Sequence, residues 1–171
     1  FQSVMGLVLV AVAKYLGKLA RDGVKIVIVG DRSAVSDRLR AAWAEAEATT
    51  AHNTRITLSV AFNYGGRWDV VQACRQAVAA GLQPAQITEA TLSGYMAMQH
   101  APDPDLFIRT GGEVRISNFL LWQIAYSELV FSDCLWPDFD VHALDTALAA
   151  YASRERRFGA VSPGATEQLA G

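Results

Sequence analysis

Between residues 24 and 80, short β-branched apolar runs alternate with longer stretches of helical character, and this alternation admits few folds. Lys25–Gly30 (Lys-Ile-Val-Ile-Val-Gly) predicts a strand followed by Asp31, and Ser36–Thr49 predicts a charged helix. Arg55–Asn63 reads as the next strand and Trp68–Ala80 as the next helix. Residues 82–100 predict one further short helix, with Thr88 as its N-cap and Glu89 in its first turn. Leu106–Thr110 predicts a strand, an apolar stretch runs from 118 to 135, and a final helix is expected from Val141 to Arg157. The expected class is therefore α/β, a mostly parallel central sheet flanked by helices in one domain over residues 1–158. The tail 159–171, rich in Gly, Ser, Pro and Thr, is expected to be mobile.

The amino-terminal stretch 4–21 predicts an amphipathic helix, with Lys14, Lys18 and Arg21 on one face and Asp22-Gly23 as its C-terminal cap. Its valines are weak helix formers, so burial rather than propensity must hold it. The apolar run Val4–Ala13 is too short to span a bilayer, and Phe1-Gln2-Ser3 lacks the basic start of a signal peptide. The chain opens without Met inside a hydrophobic segment, which predicts the remainder of a longer protein. Hydrophobic residues at 51% and charged residues at 19% describe a globular chain. A formal net charge of −2 argues against a nucleic-acid partner, so any anion site must be a local cluster. Cys74 and Cys134 lack metal-ligand spacing and read as reduced thiols of a cytosolic protein.

In α/β folds ligands collect beyond the carboxyl ends of the strands. Asp31, the segment Asn63-Tyr-Gly-Gly-Arg67 and the segment Arg109-Thr-Gly-Gly112 all fall at such ends. Arg109, Arg115 and Ser117 bring two guanidinium groups and a hydroxyl to one strand end, which suits a phosphate or diphosphate. Gly111 and Gly112 would let backbone N–H groups approach the anion without a Cβ in the way. Glu128, set in an otherwise apolar run, is the candidate Mg²⁺ ligand beside that clamp, since Mg²⁺ needs only one or two carboxylates besides water and phosphate. Glu113 is a second metal candidate, although pairing with an arginine fits it better. Asp105 reads as a strand-edge turn residue and Asp69 as support for a helix N-terminus. His52, His100 and His142 share no ligand spacing, and Trp122 and Trp136 read as packing residues.

The stretch Asp105–Phe139 as a whole resembles the signature of the cis-prenyltransferases. Val29-Gly30-Asp31, Asn63–Asp69 and Arg154-Glu-Arg-Arg-Phe-Gly159 extend the resemblance over nearly the whole chain. It implies a Mg²⁺-dependent transferase that condenses isopentenyl diphosphate onto an allylic (farnesyl) diphosphate. The product would be a long polyprenyl diphosphate, precursor of the lipid carrier for cell-wall polysaccharide. By resemblance, Arg109, Arg115 and Ser117, with the backbone at Ile116, hold the isopentenyl diphosphate, with Gly111, Gly112, Asp105 and Asn63 as further substrate contacts and Glu128 as the metal ligand. The helix 4–21 would line an apolar tunnel for the growing chain. A homodimer is implied, with residues 119–136 and the final helix as its interface, and Arg157 and Gly159 reaching the neighbouring active site. A cytoplasmic enzyme with at most peripheral membrane contact for product release completes the expectation.

Two motifs of that family have no counterpart here. Its Asp-Gly-Asn-x-Arg-Trp loop, which carries the catalytic Asp and holds the allylic diphosphate, would precede Phe1. The Ser-x-x-Asn-Trp-x-Arg-Pro stretch is missing too, and position 114 is Val where some relatives carry His. This polypeptide alone is therefore expected not to turn over; the alternative is a non-catalytic prenyltransferase-like partner subunit. The absence of Asp-Asp-x-x-Asp argues against the trans-prenyltransferase route.

Overall fold

The structure is a computed structural model that describes residues 14–33 and 35–154. Its contacts group into two compact units, Phe1–Ala101 and Pro102–Gly171, which are taken in turn.

In the first unit, residues 14–21 are helical (α1), and Gly23 closes the segment at φ +76°. That matches the predicted cap; residues 4–13, and with them most of the expected tunnel helix, lie outside the described residues. Strand β1 (Val24–Val29) leads into helix α2 (Asp37–Thr50), then strand β2 (Ile56–Ala61) and helix α3 (Gly66–Ala79). β1 and β2 pair in parallel, Val24 opposite Ile56 through Val29 opposite Ala61. Ser36 caps α2 by accepting the Leu39 N–H. Leu39, Trp43, Ala46 and Thr50 recur at helical spacing and form the buried stripe of α2. Against that stripe pack Ile26 and Ile28 of β1, together with Val35, Leu16, Leu19 and Phe62. Trp43 meets Phe62 edge-on at 5.0 Å between ring centroids. The region 82–100, expected to hold one helix, holds a 3₁₀ turn at Pro84–Gln86 and a short helix α4 (Glu89–Ser93). Thr88 caps α4 as predicted, in a reciprocal arrangement with Thr91.

Along the outer edge of β1, four backbone groups are met by side chains, and among the described residues no strand pairs there. The Phe62 N–H donates to the Val29 carbonyl, so odd-numbered residues of β1 face β2 and even-numbered ones face away. On that outer edge, Thr50 Oγ1 accepts from the Ile26 N–H (2.9 Å) and Glu47 Oε1 from the Ile28 N–H (2.8 Å). Asn53 Nδ2 donates to the Val24 carbonyl (2.8 Å) and Arg32 Nη2 to the Ile28 carbonyl (2.7 Å). Arg32 also pairs with Glu47 at 2.7 Å. Thr50→Val keeps the shape but removes the acceptor, leaving a buried N–H unpaired at about 1–3 kcal/mol. Hydrogen exchange should then speed up at the Ile26 amide ahead of its β2-facing neighbours, and an unchanged Ile26 rate would contradict the assignment.

In the second unit, strand β3 (Leu106–Arg109) pairs in parallel with strand β4 (Glu128–Phe131), Leu106 opposite Glu128 and Arg109 opposite Phe131. Phe107 is buried and meets Phe131 and Phe119 at 6.4 and 6.3 Å between centroids. The apolar connection between the two strands runs through turns. Ser117, Asn118 and Leu120 sit at φ +47°, +64° and +47°, a left-handed backbone that no α-helix tolerates. A second 3₁₀ turn (Trp136–Asp138) precedes helix α5 (Val141–Ala152), whose N-cap Asp140 accepts from the Ala143 N–H. α5 ends at Ala152, short of the expected Arg157, with Ser153 as its C-cap. Trp136 is not a packing residue: it is 76% exposed and stacks on Phe139.

Strands pairing in parallel with helices between them make a mixed α/β fold, as the alternation predicted; the described strands form two two-stranded sheets. Residues 155–171, with the expected mobile tail and the Arg157–Gly159 element, lie outside the described residues.

Candidate functional site

The second unit carries the guanidinium cluster. Arg109 closes β3, and the chain turns through Gly111 and Gly112 at φ +90° and +74°. Arg109 Nη1 donates to Ser117 Oγ (2.7 Å) and to the Arg115 carbonyl (2.6 Å). Arg115 Nε also donates to Ser117 Oγ, at 3.2 Å. Both guanidinium groups pair with the same carboxylate oxygen, Glu113 Oε2. The loop thus brings Arg109, Arg115 and Ser117 together as the sequence suggested. Arg109 is the anchored member, its side chain 21% exposed, while Arg115 at 60% faces solvent. Ile116 is half-buried, and its carbonyl accepts from the Phe119 N–H.

The glycines serve the turn itself. The Gly111 N–H donates to the Cys134 carbonyl (2.9 Å) and the Gly112 N–H to the Ser132 carbonyl (3.0 Å). Those N–H groups are engaged with the segment after β4, so the anion-binding capacity of this loop rests on side chains.

Glu113 takes the arginine-pairing role. The hydrogen bond from Arg115 is the main reason its carboxyl is held below the usual glutamate range, with the Arg115 and Arg109 charges adding to it. A folded-state pKa below the unfolded one stabilises the loop above the unfolded pKa. That contribution is lost as pH falls through the folded value, so the window lies on the acid side of about pH 4. A ¹³C titration of Glu113 should show a midpoint below that of an unstructured peptide, and a midpoint at or above it would contradict the pairing.

Glu128 does not stand beside this clamp. It is the first residue of β4, opposite Leu106, whereas Arg109 is the last of β3. Three residues of strand separate the two positions, roughly 10 Å along the ladder, and alternation places them on opposite faces. Glu128 Oε2 is instead paired with Arg154 Nη1 at 2.9 Å, just beyond α5. Asp105 lies at the same amino end, and its carbonyl accepts from the Glu128 N–H (2.9 Å). No group of three His, Cys, Asp or Glu among the described residues could hold a metal ion. In the sequence Arg154 belongs only to the family-like segment Arg154-Glu-Arg-Arg-Phe-Gly159; its pairing with Glu128 depends on the packing of α5 on β4, which no local pattern announces.

In the first unit, Asn63 and Asp31 join the carboxyl ends of β2 and β1. Asn63 Nδ2 donates to the Asp31 carbonyl (2.9 Å), and the Asp31 N–H donates to the Asn63 carbonyl (3.1 Å). Hydrogen bonds from Ser33 hold the Asp31 carboxyl below its usual range. Asp69 does more than support the start of α3. It is fully buried, its Oδ2 accepting from Tyr64 Oη (2.7 Å) and its Oδ1 from Gln72 Nε2 and the Ala97 N–H (both 2.8 Å). A cavity of about 360 Å³ opens beside the carboxyl end of β1, lined among others by Asp31, Arg32, Glu47, Trp68, Gln72 and Tyr95.

The profile of the undecaprenyl diphosphate synthase family matches residues 1–159. The chain belongs to that family. An isoprenyl transferase of Neisseria meningitidis is 52% identical over 158 residues, covering 92% of this chain and 63% of the relative. A farnesyl-diphosphate-specific ditrans,polycis-undecaprenyl-diphosphate synthase of Salmonella paratyphi A is 55% identical over 150 residues, covering 85% of this chain and 60% of the relative. This synthase-family chain therefore spans roughly three-fifths of the length of those curated relatives. Among solved structures, a Campylobacter jejuni protein assigned as an undecaprenyl diphosphate synthase superposes with a TM-score of 0.85 at 28% identity, over 92% of this chain and 74% of that one. Lavandulyl diphosphate synthase from Lavandula x intermedia, solved with dimethylallyl diphosphate, gives 0.83 at 32% identity, over 93% and 72%. No described helix is long and apolar enough to cross a membrane.

Proposed function

We propose that this chain is the larger part of a cis-prenyl chain-elongating transferase, in which Arg109, Arg115 and Ser117 bind the diphosphate of isopentenyl diphosphate. The observation that carries this reading is the convergence of two guanidinium groups on one hydroxyl and one carboxylate oxygen. Guanidinium forks match the oxygens of a diphosphate, and a half-buried Arg109 supplies a fixed point about which the substrate is oriented. The names of its relatives, isoprenyl transferase and undecaprenyl diphosphate synthase, support the same reaction class.

In that reaction the double bond of the donor attacks C1 of an allylic diphosphate, whose diphosphate leaves, and a proton is lost from the donor to form the new double bond. The role of this chain's residues is to hold the donor's diphosphate and screen its charge, so that the isopentenyl group points at the acceptor. Glu128, the Mg²⁺ candidate, sits at the other end of the ladder, and no step is routed through it. The product is a long polyprenyl diphosphate, used as lipid-carrier precursor in the cytoplasm. Exposed apolar side chains at Phe119, Tyr126, Leu135, Trp136, Val141 and Leu148 fall in the segments expected to pair two copies, which supports a homodimer.

In the full-length protein, farnesyl and isopentenyl diphosphates should give polyprenyl diphosphate, and absence of elongation would sink the reading. Arg109→Ala should raise the Michaelis constant for isopentenyl diphosphate by about 10- to 150-fold, the equivalent of a charge-assisted bond of about 1.5–3 kcal/mol. Arg115→Ala should do less, because its head is more exposed. Unchanged constants in both variants would contradict the assigned roles.

A further inference from the structure

We infer that Glu113 is a resident anion of the clamp: it holds the Arg109 and Arg115 guanidinium groups together and gives way to the diphosphate oxygens of the substrate. This rests on the diphosphate reading of the same loop. One oxygen, Glu113 Oε2, accepts from Nη2 of both arginines, the position that a substrate oxygen would take between two forks. Glu113 therefore occupies the anion position of the clamp until a substrate displaces it.

It is also placed to leave. Its side chain is 46% exposed, and it follows two glycines at positive φ, with open space around Gly111. Exposed ion pairs of this kind contribute little net free energy, so their release opposes binding only weakly. Two guanidinium groups against one carboxylate leave the cluster with surplus positive charge. A diphosphate, carrying several negative charges, exceeds Glu113 as a partner for both arginines. Glu113 is thus a positioning residue that sets affinity for the anionic end of the substrate.

Calorimetric titration of the full chain with inorganic diphosphate tests this. Glu113→Gln keeps the shape and one acceptor but removes the competing charge, and should tighten binding about three- to fivefold. An unchanged or weakened affinity overturns the inference. Arg109→Ala serves as the reference: if it binds diphosphate as well as the parent, or the parent does not bind, the clamp reading itself fails. In the parent chain, saturating diphosphate should shift the ¹³C resonance of the Glu113 carboxyl. A resonance that stays in place while Arg109-dependent binding is observed overturns the displacement without any variant at position 113.

Discussion

Gly30→Ala is expected to destabilise the protein by about 3–5 kcal/mol and to remove most of the folded population at modest urea concentrations. Gly30 lies at φ +130°, and a Cβ built there would sit 1.9 Å from the Phe62 carbonyl oxygen and 2.9 Å from its carbon. Neither atom is the end of a flexible side chain; both are backbone of the segment that leaves β2. Relief would require β1 and β2 to separate where Asn63 and Asp31 bind each other, so the damage extends to the loops at the carboxyl edge. Gly81→Ala is the matching control. Gly81 also has positive φ, +86°, but nothing lies within 4 Å of its would-be Cβ. Only the left-handed backbone is then penalised, about 1–2 kcal/mol. Urea unfolding of the two variants separates close approach from conformational preference; equal midpoints would show that the contact with Phe62 is not limiting.

Asp69→Ala should be of similar severity, about 3–5 kcal/mol, with the loss concentrated in the first unit. The carboxylate is wholly buried and collects donors from three places: Tyr64 before α3, Gln72 within it, and the backbone at Ala97. Removing it takes a buried acceptor away from a hydroxyl and two N–H donors at once. Gln72 also donates to the Tyr95 carbonyl, so the loosened region runs from the β2–α3 turn to residues 95–97. Asp69→Asn keeps the volume but presents an amide NH₂ to at least one of these donors, and should cost about 2 kcal/mol. Hydrogen exchange at the Ala97 amide reports the event directly. If Asp69→Ala leaves that amide protected and the unfolding midpoint unmoved, the buried network does not hold the segment.

These two residues also show how far the sequence could be read. The order of β1, α2, β2 and α3 was legible because each element carries its own period and because Ser36 and Thr88 are cap residues that match their helices. The guanidinium cluster was legible for a similar reason: Arg109, Arg115 and Ser117 are close in sequence and joined by a glycine turn. Asp69 looked like a local helix residue because two of its donors are local, while the third, Ala97, is reached only through tertiary packing. The position of Glu128 along its strand was not legible for want of register. The apolar run from 118 onward has no clear period, and the left-handed residues at 117, 118 and 120 that break it are Ser, Asn and Leu, not glycine. Only the pairing of Leu106 with Glu128 reveals that the carboxylate starts its strand at the far end from Arg109. The end of α5 was equally hidden, since Arg-Glu-Arg-Arg is a good helix-forming run on composition alone.

The dressing of β1 by Asn53, Thr50, Glu47 and Arg32 gives the first sheet a direction of growth. With four of its outward backbone groups already matched by side chains, β1 is a poor template for a passing chain, and so resists the edge-to-edge joining that drives aggregation. Among the described residues β2 pairs only with β1. Any further strand of this sheet is therefore favoured on the β2 side, so the side chains that dress β1 bias the direction in which the sheet assembles.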